Sequence, residues 1–314
     1  AYTVSKFYAQ LTQEALLPAS GPDALTFLQG QVTCDTRRID GEHAIPGAYC
    51  TPQGRTVCDF LLCQLGEERF AMRLRRDLRE QSAAVFGKYI IFSKAKLDPE
   101  DEQWQLFGCW GEEVKQQLRE IFGNVPEGQY MSAGGDDFLL VQVDEAGQRF
   151  ECYLEASRLS AGADPLGESL QLQQESAWQA LEIEAGIARL QGATSGEFVP
   201  QMLNFDLTGH ISFDKGCYTG QEVVARLHYR GTPKRRLYRV LLPEGITADP
   251  GAPIYGDSEG QSIGNLVNVA VSASGATQAL AVVTVSKIEE NLYLESPGGP
   301  SLALATLPYS LASA

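Results

Sequence analysis

The C-terminal part of the chain constrains the fold most, because its pattern of apolar residues changes near residue 235. From there onward, short apolar stretches alternate with turns rich in Gly, Pro, Asp and Ser. The stretches are Leu237–Leu242, Ile263–Val271, Gln278–Val285 and Leu292–Leu294. Short strands separated by frequent turn residues are typical of a small all-β domain, so this segment is predicted to form a barrel. Gly231 and Pro233 break the preceding helical pattern, which places a domain boundary between residues 232 and 233.

Residues 1–232 follow a different plan, in which strands alternate with helices. Ser20 is predicted to cap a short helix that ends at Gly30. The elements that follow are predicted as three strands, a helix and a fourth strand. They lie at Ala44–Thr51, Thr56–Leu65, Phe70–Leu74, Arg76–Phe86 and Tyr89–Leu97.

A second round of strands and helices is weaker but similar. The predicted strands are Trp104–Cys109, Asp137–Val143 and Arg149–Leu154, and the predicted helices are Glu112–Phe122, Glu155–Ala161 and Gln174–Ile187. The last helix is the most regular, with Trp178, Leu181 and Ala185 on one face. The chain is therefore predicted to be an α+β protein. It has two α+β subdomains at roughly 1–100 and 101–232, followed by a β-barrel domain at 233–314.

The chain is strongly acidic, because it has 40 Asp and Glu residues and only 25 Lys and Arg residues, which gives a formal net charge of −15. This balance argues against a general nucleic-acid binder, whose affinity depends on basic side chains that neutralise phosphates. No apolar run approaches the roughly 20 residues that span a bilayer. The first ten residues do not resemble a secretory signal. We therefore expect a cytoplasmic protein that makes no membrane contact; the alternative is a mature chain whose targeting segment has been removed.

The seven cysteines include no Cys-x-x-Cys pair. This spacing argues against the usual structural zinc sites and dithiol redox motifs, and no metal site is predicted. In a reducing compartment we expect most of the cysteines to be buried free thiols that pack as small hydrophobic side chains.

The densest group of candidate functional residues is the segment 215–226, which begins Lys215-Gly216-Cys217-Tyr218. Thr219 and Glu222 have the spacing of a capping box, which predicts a helix beginning near residue 220. Cys217 then precedes a helix N-terminus and follows a lysine, and both features favour the thiolate. The alternative is that Cys217 only packs in a tight turn, since no histidine is fixed beside it by the sequence.

The octapeptide Lys215–Glu222 resembles the signature of the YgfZ folate-binding family. Relatives of that family include the glycine-cleavage T-protein, an aminomethyltransferase, and mitochondrial iron–sulfur assembly factors. Further matching segments are Gln29–Thr33, Trp178 followed by Ile183–Gly186, Phe198–Gln201 and Leu307–Leu311. They occur in order over nearly the whole chain, and the octapeptide is the most specific of them.

The resemblance implies an aminomethyltransferase-like fold, in which two subdomains with ferredoxin-like elements and a small β-barrel form a ring. Tetrahydrofolate would occupy the central hole. The family is linked to the maintenance of iron–sulfur enzymes, including one that thiomethylates tRNA. By this resemblance Cys217 is the signature thiol and Trp178 contacts the pterin. Glu184 corresponds to the carboxylate that binds the pterin in the T-protein.

The chemistry of these side chains is compatible with a pterin. A carboxylate such as that of Glu184 can accept two adjacent N–H groups of the pterin edge, and Trp178 can supply an aromatic face. The alternatives are a core tryptophan on an amphipathic helix and a solvated helix carboxylate. The further ligand contacts that we predict are Lys215, Tyr218, Gln221, Arg226 and Arg230.

Two departures from the family pattern bear on activity. The T-protein carries an Asp-Asp pair whose first member is linked to catalysis, whereas this chain has Cys58 and Asp59. This difference argues against aminomethyl transfer. Some relatives also place an aromatic residue where this chain has Glu14, so one stacking face for the ligand is expected to be missing or supplied elsewhere.

The basic residues are clustered within the acidic chain. No Asp or Glu lies between Val223 and Pro243, where six basic residues occur, and a second run contains Arg69, Arg73, Arg75, Arg76 and Arg79. A solvated helix face with a linker is the simplest interpretation. A binding site for the carboxylates of a folate glutamate tail is the functional one, because Arg binds carboxylates bidentately. Direct tRNA binding is expected to be weak and sensitive to salt.

Our first hypothesis is a folate-binding accessory protein, not a classical enzyme, that supports iron–sulfur enzymes and thereby tRNA modification. It would be a monomer that contacts iron–sulfur enzymes or assembly proteins transiently. The alternative is a folate-dependent one-carbon transferase of the T-protein type. A third hypothesis is a scaffold in which Cys217 is structural.

Overall fold

The chain forms two structural units, one inserted into the other along the sequence. The computed structural model describes residues 5–159, 162, 164–258 and 260–311. The first unit contains residues 1–47 and 60–175, and the second contains residues 48–59 and 176–314. The predicted boundary at residues 232–233 lies inside the second unit. The domain limits given above therefore stay a prediction.

Short strands dominate the described residues. The helices are α1 (Ala24–Gln29), α2 (Arg76–Gly87), α3 (Val114–Phe122), α4 (Glu175–Glu184) and α5 (Gln221–Arg230). The strands are β1 (Phe7–Gln10), β2 (Glu14–Ser20), β3 (Ile45–Cys50), β4 (Thr56–Gly66), β5 (Arg69–Arg75), β6 (Lys96–Leu97), β7 (Trp104–Trp110), β8 (Ser132–Gly134), β9 (Phe138–Gln142), β10 (Arg149–Glu155), β11 (Gln171–Leu172), β12 (Arg235–Leu241), β13 (Pro253–Tyr255), β14 (Gly264–Val271), β15 (Thr277–Thr284), β16 (Leu292–Leu294) and β17 (Ser301–Ala305).

The strands outside the barrel form two sheets. The first has the order β11-β1-β7-β10-β9-β8, and the second has the order β3-β4-β5-β2-β6. In the first unit a core of apolar side chains from the six-stranded sheet packs with Val114 and Leu118 of α3. The residue after that helix is Gly123, whose φ of +78° suits a residue without a side chain.

The strands of the C-terminal segment close into a barrel with the order β12-β15-β14-β13-β16-β17. Its interior is filled by inward-facing aliphatic side chains, including Val240, Ile254, Leu266 and Leu294. A closed sheet leaves no unpaired edge, which protects these short strands from pairing with other chains. The predictions of an α+β protein and of a C-terminal barrel are confirmed.

Most predicted elements are present, with four corrections. Ser20 does not cap α1, because it ends β2 and pairs with Arg69; the residue before the helix is Asp23. The predicted strand Tyr89–Leu97 is instead a 3₁₀ turn at Ile90–Phe92 followed by the two residues of β6.

The other two corrections concern predicted helices. The segment Glu155–Ala161 forms a 3₁₀ turn at Ala156–Arg158, and its residues 160 and 161 lie outside the described part of the chain. The helix Gln174–Ile187 is shorter, because α4 ends at Glu184. Among the described residues no helix is long and apolar enough to cross a bilayer.

Candidate functional site

The predicted signature segment forms the loop before α5 and the first turn of that helix, all within the second unit. The predicted cap at Thr219 is wrong. The residue before the helix is Gly220, whose φ of +84° lies in the left-handed region, and no side chain caps the helix. The helix nevertheless begins at Gln221, close to the predicted position. The Gln221 Nε2 donates a hydrogen bond of 3.2 Å to the Gly216 carbonyl oxygen, which closes the loop on itself.

The loop packs tightly against the turn between β3 and β4. A Cβ at Gly220 would lie 2.6 Å from the Thr51 carbonyl oxygen, and a Cβ at Gly54 would lie 2.7 Å from Val223. Only glycine allows this close approach at positive φ. The Thr56 amide donates to the Phe198 carbonyl oxygen at 2.7 Å, so the segment Phe198–Gln201 also meets this strand.

Lys215 and Tyr218 form a buried contact inside the loop. The Lys215 ammonium lies 4.9 Å from the centre of the Tyr218 ring, within the range of a cation–π interaction. Both residues are buried, and burial raises the pKa of Tyr218 well above its usual value. Lys215 therefore orders the loop, and its contact with a ligand stays a prediction.

Cys217 differs from the other cysteines in its exposure. It is exposed, whereas Cys34, Cys50, Cys58, Cys63, Cys109 and Cys152 are buried free thiols. Burial raises the pKa of Cys50 and of Cys63 to about 12, so these two thiols stay protonated at neutral pH. The structure thus leaves one thiol accessible to a reagent or partner, on the loop that the sequence analysis singled out.

Trp178 and Glu184 lie at different depths on α4. Trp178 is only 1% exposed, so its ring offers almost no surface to a ligand in this conformation. Glu184 is exposed at the end of the helix and accepts a hydrogen bond of 2.9 Å from the Gln278 Nε2. Of the two predicted pterin contacts, Glu184 is the accessible one. Both roles stay predictions.

A buried charge network beside Glu184 was missed by the sequence analysis. The Arg189 guanidinium pairs with Asp59 at 2.7 Å and with Glu182 at 2.9 Å. The Arg189 backbone exchanges two hydrogen bonds with the Asn268 amide. Arg189 lies between Ala188 and Leu190, and an isolated arginine in an apolar stretch is the sequence feature that could have indicated a buried ion pair.

Asp59 and Glu182 play different parts in this network. Asp59 also accepts a hydrogen bond from the Leu190 amide at 2.6 Å, so both of its carboxylate oxygens are engaged. Glu182 uses one oxygen for Arg189, and its Oε1 is buried without a hydrogen-bond donor in the described part of the chain. The network therefore contains one unsatisfied acceptor, two residues before Glu184.

The predicted basic patches are largely neutralised. In the first unit Arg73 pairs with Glu151 at 2.7 Å and Arg75 pairs with Glu14 at 3.1 Å, in both cases buried. Arg76 and Arg79 both pair with Glu102. The interpretation of residues 69–79 as a positive patch is therefore wrong. The prediction missed these pairs because the carboxylates lie on other elements.

The segment 223–243 keeps part of its positive charge. Arg236 is buried and pairs with Asp206 at 2.7 Å, and the Arg239 Nε donates to the Gln278 Oε1 at 3.0 Å. Arg226 pairs with Glu222 one helical turn earlier, where both side chains are exposed. Arg230 is exposed and forms no ion pair in the described part of the chain. Arg226 and Arg230 are thus the predicted site arginines that remain accessible.

A cavity of about 190 Å³ lies at the C-terminal end of α5. Its polar lining consists of Gln201, Asp206, His228, Thr232, Arg236 and Tyr238. None of Trp178, Glu184 and Cys217 lines this cavity. It is therefore distinct from the predicted folate site.

The residues at the end of α4 fit a pterin. A pterin edge presents adjacent N–H donors, and carboxylate oxygens are their natural acceptors. Glu184 supplies an exposed carboxylate for them, whereas the Glu182 Oε1 lacks a donor but is buried and offers no surface to a ligand. Among the described residues there is no cluster of three or more side chains suited to hold a metal ion.

Three known proteins show what this chain is similar to. It is 35% identical over 224 residues to the tRNA-modifying protein YgfZ of Pectobacterium carotovorum subsp. carotovorum, covering 71% of this chain and 67% of that protein. It is 31% identical over 301 residues to the tRNA-modifying protein YgfZ of Escherichia coli O157:H7, covering 95% of this chain and 91% of that protein. No family model matches the chain.

The structural comparison concerns the fold. The structure is similar to the glycine cleavage system aminomethyltransferase T from Bartonella henselae, with a TM-score of 0.75 and 16% sequence identity. The match covers 98% of this chain and 87% of the other. It confirms the predicted aminomethyltransferase-like fold.

Proposed function

The chain belongs to the YgfZ family of tRNA-modifying proteins, and from this premise we propose that it is a tetrahydrofolate-binding accessory protein of the cytoplasm. It would support the assembly or repair of iron–sulfur enzymes and, through one of them, the thiomethylation of tRNA. The observation that carries the proposal is the exposed thiol of Cys217 on the signature loop, in a chain whose other cysteines are buried.

The exposed carboxylate at the end of α4 would hold the pterin. Glu184 would accept its N–H groups, and Arg226 and Arg230 would bind the carboxylates of the glutamate tail. Arg226 is paired with Glu222 only at the surface, so a ligand carboxylate can compete for it at little cost. Bound tetrahydrofolate would supply a carrier for one-carbon groups.

Cys217 would act as a thiol or as a transient ligand. A lone cysteine cannot hold a stable iron–sulfur cluster, which is generally bound by four ligands. The exposed position suits a brief contact with a partner protein instead. We propose that the partners are iron–sulfur enzymes or assembly proteins, that the protein is a monomer, and that it binds neither tRNA nor a membrane directly.

The folate proposal is tested by titrating tetrahydrofolate while the fluorescence of the tryptophans is followed. The native protein is expected to bind, and Glu184→Gln is expected to weaken binding about tenfold or more, because a charged hydrogen-bond acceptor is lost. Trp178→Phe tests whether the signal comes from α4, and Trp110→Phe is the matched control. Absence of binding by the native protein would refute the folate proposal.

The role of the thiol is tested in a deletion strain by measuring the activity of an iron–sulfur enzyme. Cys217→Ser and Cys217→Ala are both expected to fail to restore activity. A matched control combines Cys217→Ser with Ser274→Cys, which keeps one exposed thiol but moves it to a turn of the barrel. Full rescue by Cys217→Ser would reduce Cys217 to a packing residue.

A folate-dependent one-carbon transferase of the T-protein type is the second candidate, and the fold is what favours it. The side chains argue against it, because position 58 holds a buried cysteine and Asp59 is engaged by Arg189 and Leu190. Neither residue leaves a free carboxylate for catalysis. Sustained aminomethyl turnover with a glycine-derived donor would establish the transferase instead of the accessory protein.

A further inference from the structure

A cavity of about 470 Å³ opens in the first unit, and none of the residues assigned above to folate or to the thiol lines it. Five charged residues line it: Arg69, Lys96, Asp98, Asp101 and Glu155. The buried Trp104 forms part of its wall. This volume lies within the range of small-molecule sites in proteins, roughly 300–1,000 Å³.

The strand register places the hydrogen-bond donors of this cavity in one row. Ser20 on β2 pairs with Arg69 on β5 and, on its other side, with Lys96 on β6. Directly paired residues of neighbouring strands point to the same face of a sheet. The Arg69 guanidinium, the Ser20 hydroxyl and the Lys96 ammonium therefore belong to adjacent positions in the sheet. The Cα atoms of Arg69 and Lys96 are two strand spacings, about 10 Å, apart.

The register also places a carboxylate beside this row. The Asp98 amide donates to the Pro18 carbonyl oxygen at 3.0 Å, so the pairing between β2 and β6 continues to Asp98. Asp98 is two residues beyond Lys96, which puts it on the same face about 6.7 Å along the strand. Backbone donors fix this carboxylate and its neighbour, because Asp98 accepts from the Glu100 amide and Asp101 accepts from the Gln103 amide.

The charges of the cavity are not paired with one another. In the part of the chain that the structure describes, Arg69, Lys96 and Glu155 form no ion pair, although all three line the same space. The other arginines of this run differ, since Arg73 and Arg75 are each paired with a carboxylate. The cavity therefore holds two cations and the Glu155 carboxylate without an ion-pair partner among the described residues, beside two carboxylates that backbone amides orient.

Such a cavity selects its ligand by charge. A simple anion would bind the row of donors but face three carboxylates, and a simple cation would face Arg69 and Lys96. A molecule that carries both charges satisfies both ends at once.

From this arrangement we propose that the cavity binds an α-amino acid as its zwitterion. The ligand carboxylate lies at Arg69, Ser20 and Lys96, and the ligand ammonium lies toward Asp98, Asp101 and Glu155. Because the backbone holds Asp98 and Asp101 in place, little conformational freedom is lost on binding. The ligand side chain lies against Trp104. This proposal is independent of the folate proposal.

The experiment screens the full-length protein against the twenty common amino acids, one at a time. Each is added at about 10 mM, which detects a millimolar Kd. Thermal shift identifies candidates, and isothermal titration calorimetry measures the affinity of the strongest. The fluorescence of Trp104 reports on the cavity itself, and Trp104→Phe is expected to abolish the ligand-dependent part of the signal.

Two analogues and three variants define the site. The methyl ester of the best ligand lacks the carboxylate and its N-acetyl derivative lacks the ammonium, and each is expected to bind about tenfold weaker or worse. Arg69→Gln, Lys96→Gln and Glu155→Gln are expected to weaken binding to a similar degree. Arg119→Gln, on α3 and outside the cavity, is the matched control and is expected to bind like the native protein.

Three results would each overturn the proposal. The first is that no amino acid binds under these conditions. The second is that the ester or the N-acetyl derivative binds as well as the zwitterion. The third is that folded Lys96→Gln and Glu155→Gln, checked by circular dichroism, bind like the native protein. Loss of tetrahydrofolate binding bears on none of these results, because Glu184 does not line this cavity.

Discussion

At the scale of the residue, exposure separates Cys217 from the other six cysteines. The buried thiols pack as small hydrophobic side chains, as expected for a chain in a reducing compartment. For Cys50 and Cys63, burial is the largest cause of the raised pKa of about 12. Chemistry at a thiol is therefore confined to the signature loop while the protein is folded.

Thiol titration checks this separation. With a disulfide reagent at pH 8, the native protein is expected to react at one thiol per chain, and the denatured protein at all seven cysteines. Raising the pH toward 10 is not expected to make Cys50 or Cys63 reactive, because burial raises the pKa of both thiols to about 12. Cys217→Ser is the control and should leave no rapid reaction. Fast modification of a second native cysteine would contradict the prediction.

The buried Arg189 network is the residue-scale feature on which stability depends most. Replacing Arg189 by Met leaves the carboxylates of Asp59 and Glu182 buried without a positive charge. We expect a loss of about 3–5 kcal/mol in the free energy of unfolding. Urea denaturation measures it.

Two further variants serve as comparisons for the loss of stability in Arg189→Met. Arg226→Ala breaks an exposed pair and is expected to cost less than about 1 kcal/mol. Adding Asp59→Asn and Glu182→Gln to Arg189→Met should recover part of the loss, because the buried charges are then removed together. A small effect of Arg189→Met alone would show that the guanidinium does not stabilise the network.

At the scale of the element, the contact of the α5 loop with the β3–β4 turn depends on Gly220 and Gly54. Both have positive φ, and each would place a Cβ against the other element. The sequence indicated the start of α5 but not this contact. Thr219 and Glu222 satisfied the capping-box spacing, whereas the contact depends on residues 51–54, far away along the chain.

A pair of glycine variants separates backbone strain from this contact. Gly209 has a φ of +81° and no atom within 4 Å of an added Cβ, so Gly209→Ala measures strain alone, about 1–2 kcal/mol. Gly220→Ala adds a clash with the Thr51 carbonyl oxygen and is expected to destabilise the protein more. Thermal unfolding compares the two variants, and equal losses would exclude a tight contact at Gly220.

Helices and strands were predicted well from the sequence where the spacing of their own apolar residues indicates which side chains are buried. The barrel strands and α2 are examples, because short continuous apolar stretches or helical spacing mark their buried residues. Tyr89–Leu97 has strand-like residues, yet its Ile91 and Phe92 are exposed, because only β6 finds a partner strand. The strand β2 was missed since it begins with Glu14, whose burial depends on Arg75 of a neighbouring strand.

The candidate site was predictable only where its residues are contiguous in the sequence. The octapeptide identified the loop and Cys217, because those residues are contiguous. Glu182, Arg189 and Asn268 were missed, since their network joins separate elements. Trp178 was placed correctly on a helix, but its depth depends on packing that helical spacing alone does not reveal.

At the scale of the whole molecule, the net charge of −15 is not offset by a large basic surface. The arginines at positions 73, 75, 76, 79 and 236 are all paired with carboxylates. A long polyanion would therefore meet mainly negative charge, whereas a small anionic ligand senses only the side chains within about a Debye length, roughly 8 Å.

Binding of tRNA tests this balance. Fluorescence anisotropy with labelled tRNA at physiological salt is expected to give a Kd weaker than about 10⁻⁴ M, beyond the usual range of non-specific binding. Lowering the salt should strengthen binding, and Arg226→Glu with Arg230→Glu should remove that gain. Saturable binding at micromolar protein and physiological salt would contradict the expectation.

The insertion of one unit within the other has a consequence for biosynthesis. Residues 48–59 leave the ribosome early, but the rest of their unit begins only at residue 176. At typical rates of translation the delay is on the order of ten seconds. During that time the early hairpin lacks the partners that it has in the folded unit. A transcript interrupted before the barrel yields a chain whose second unit cannot be completed, and such a product is expected to be degraded.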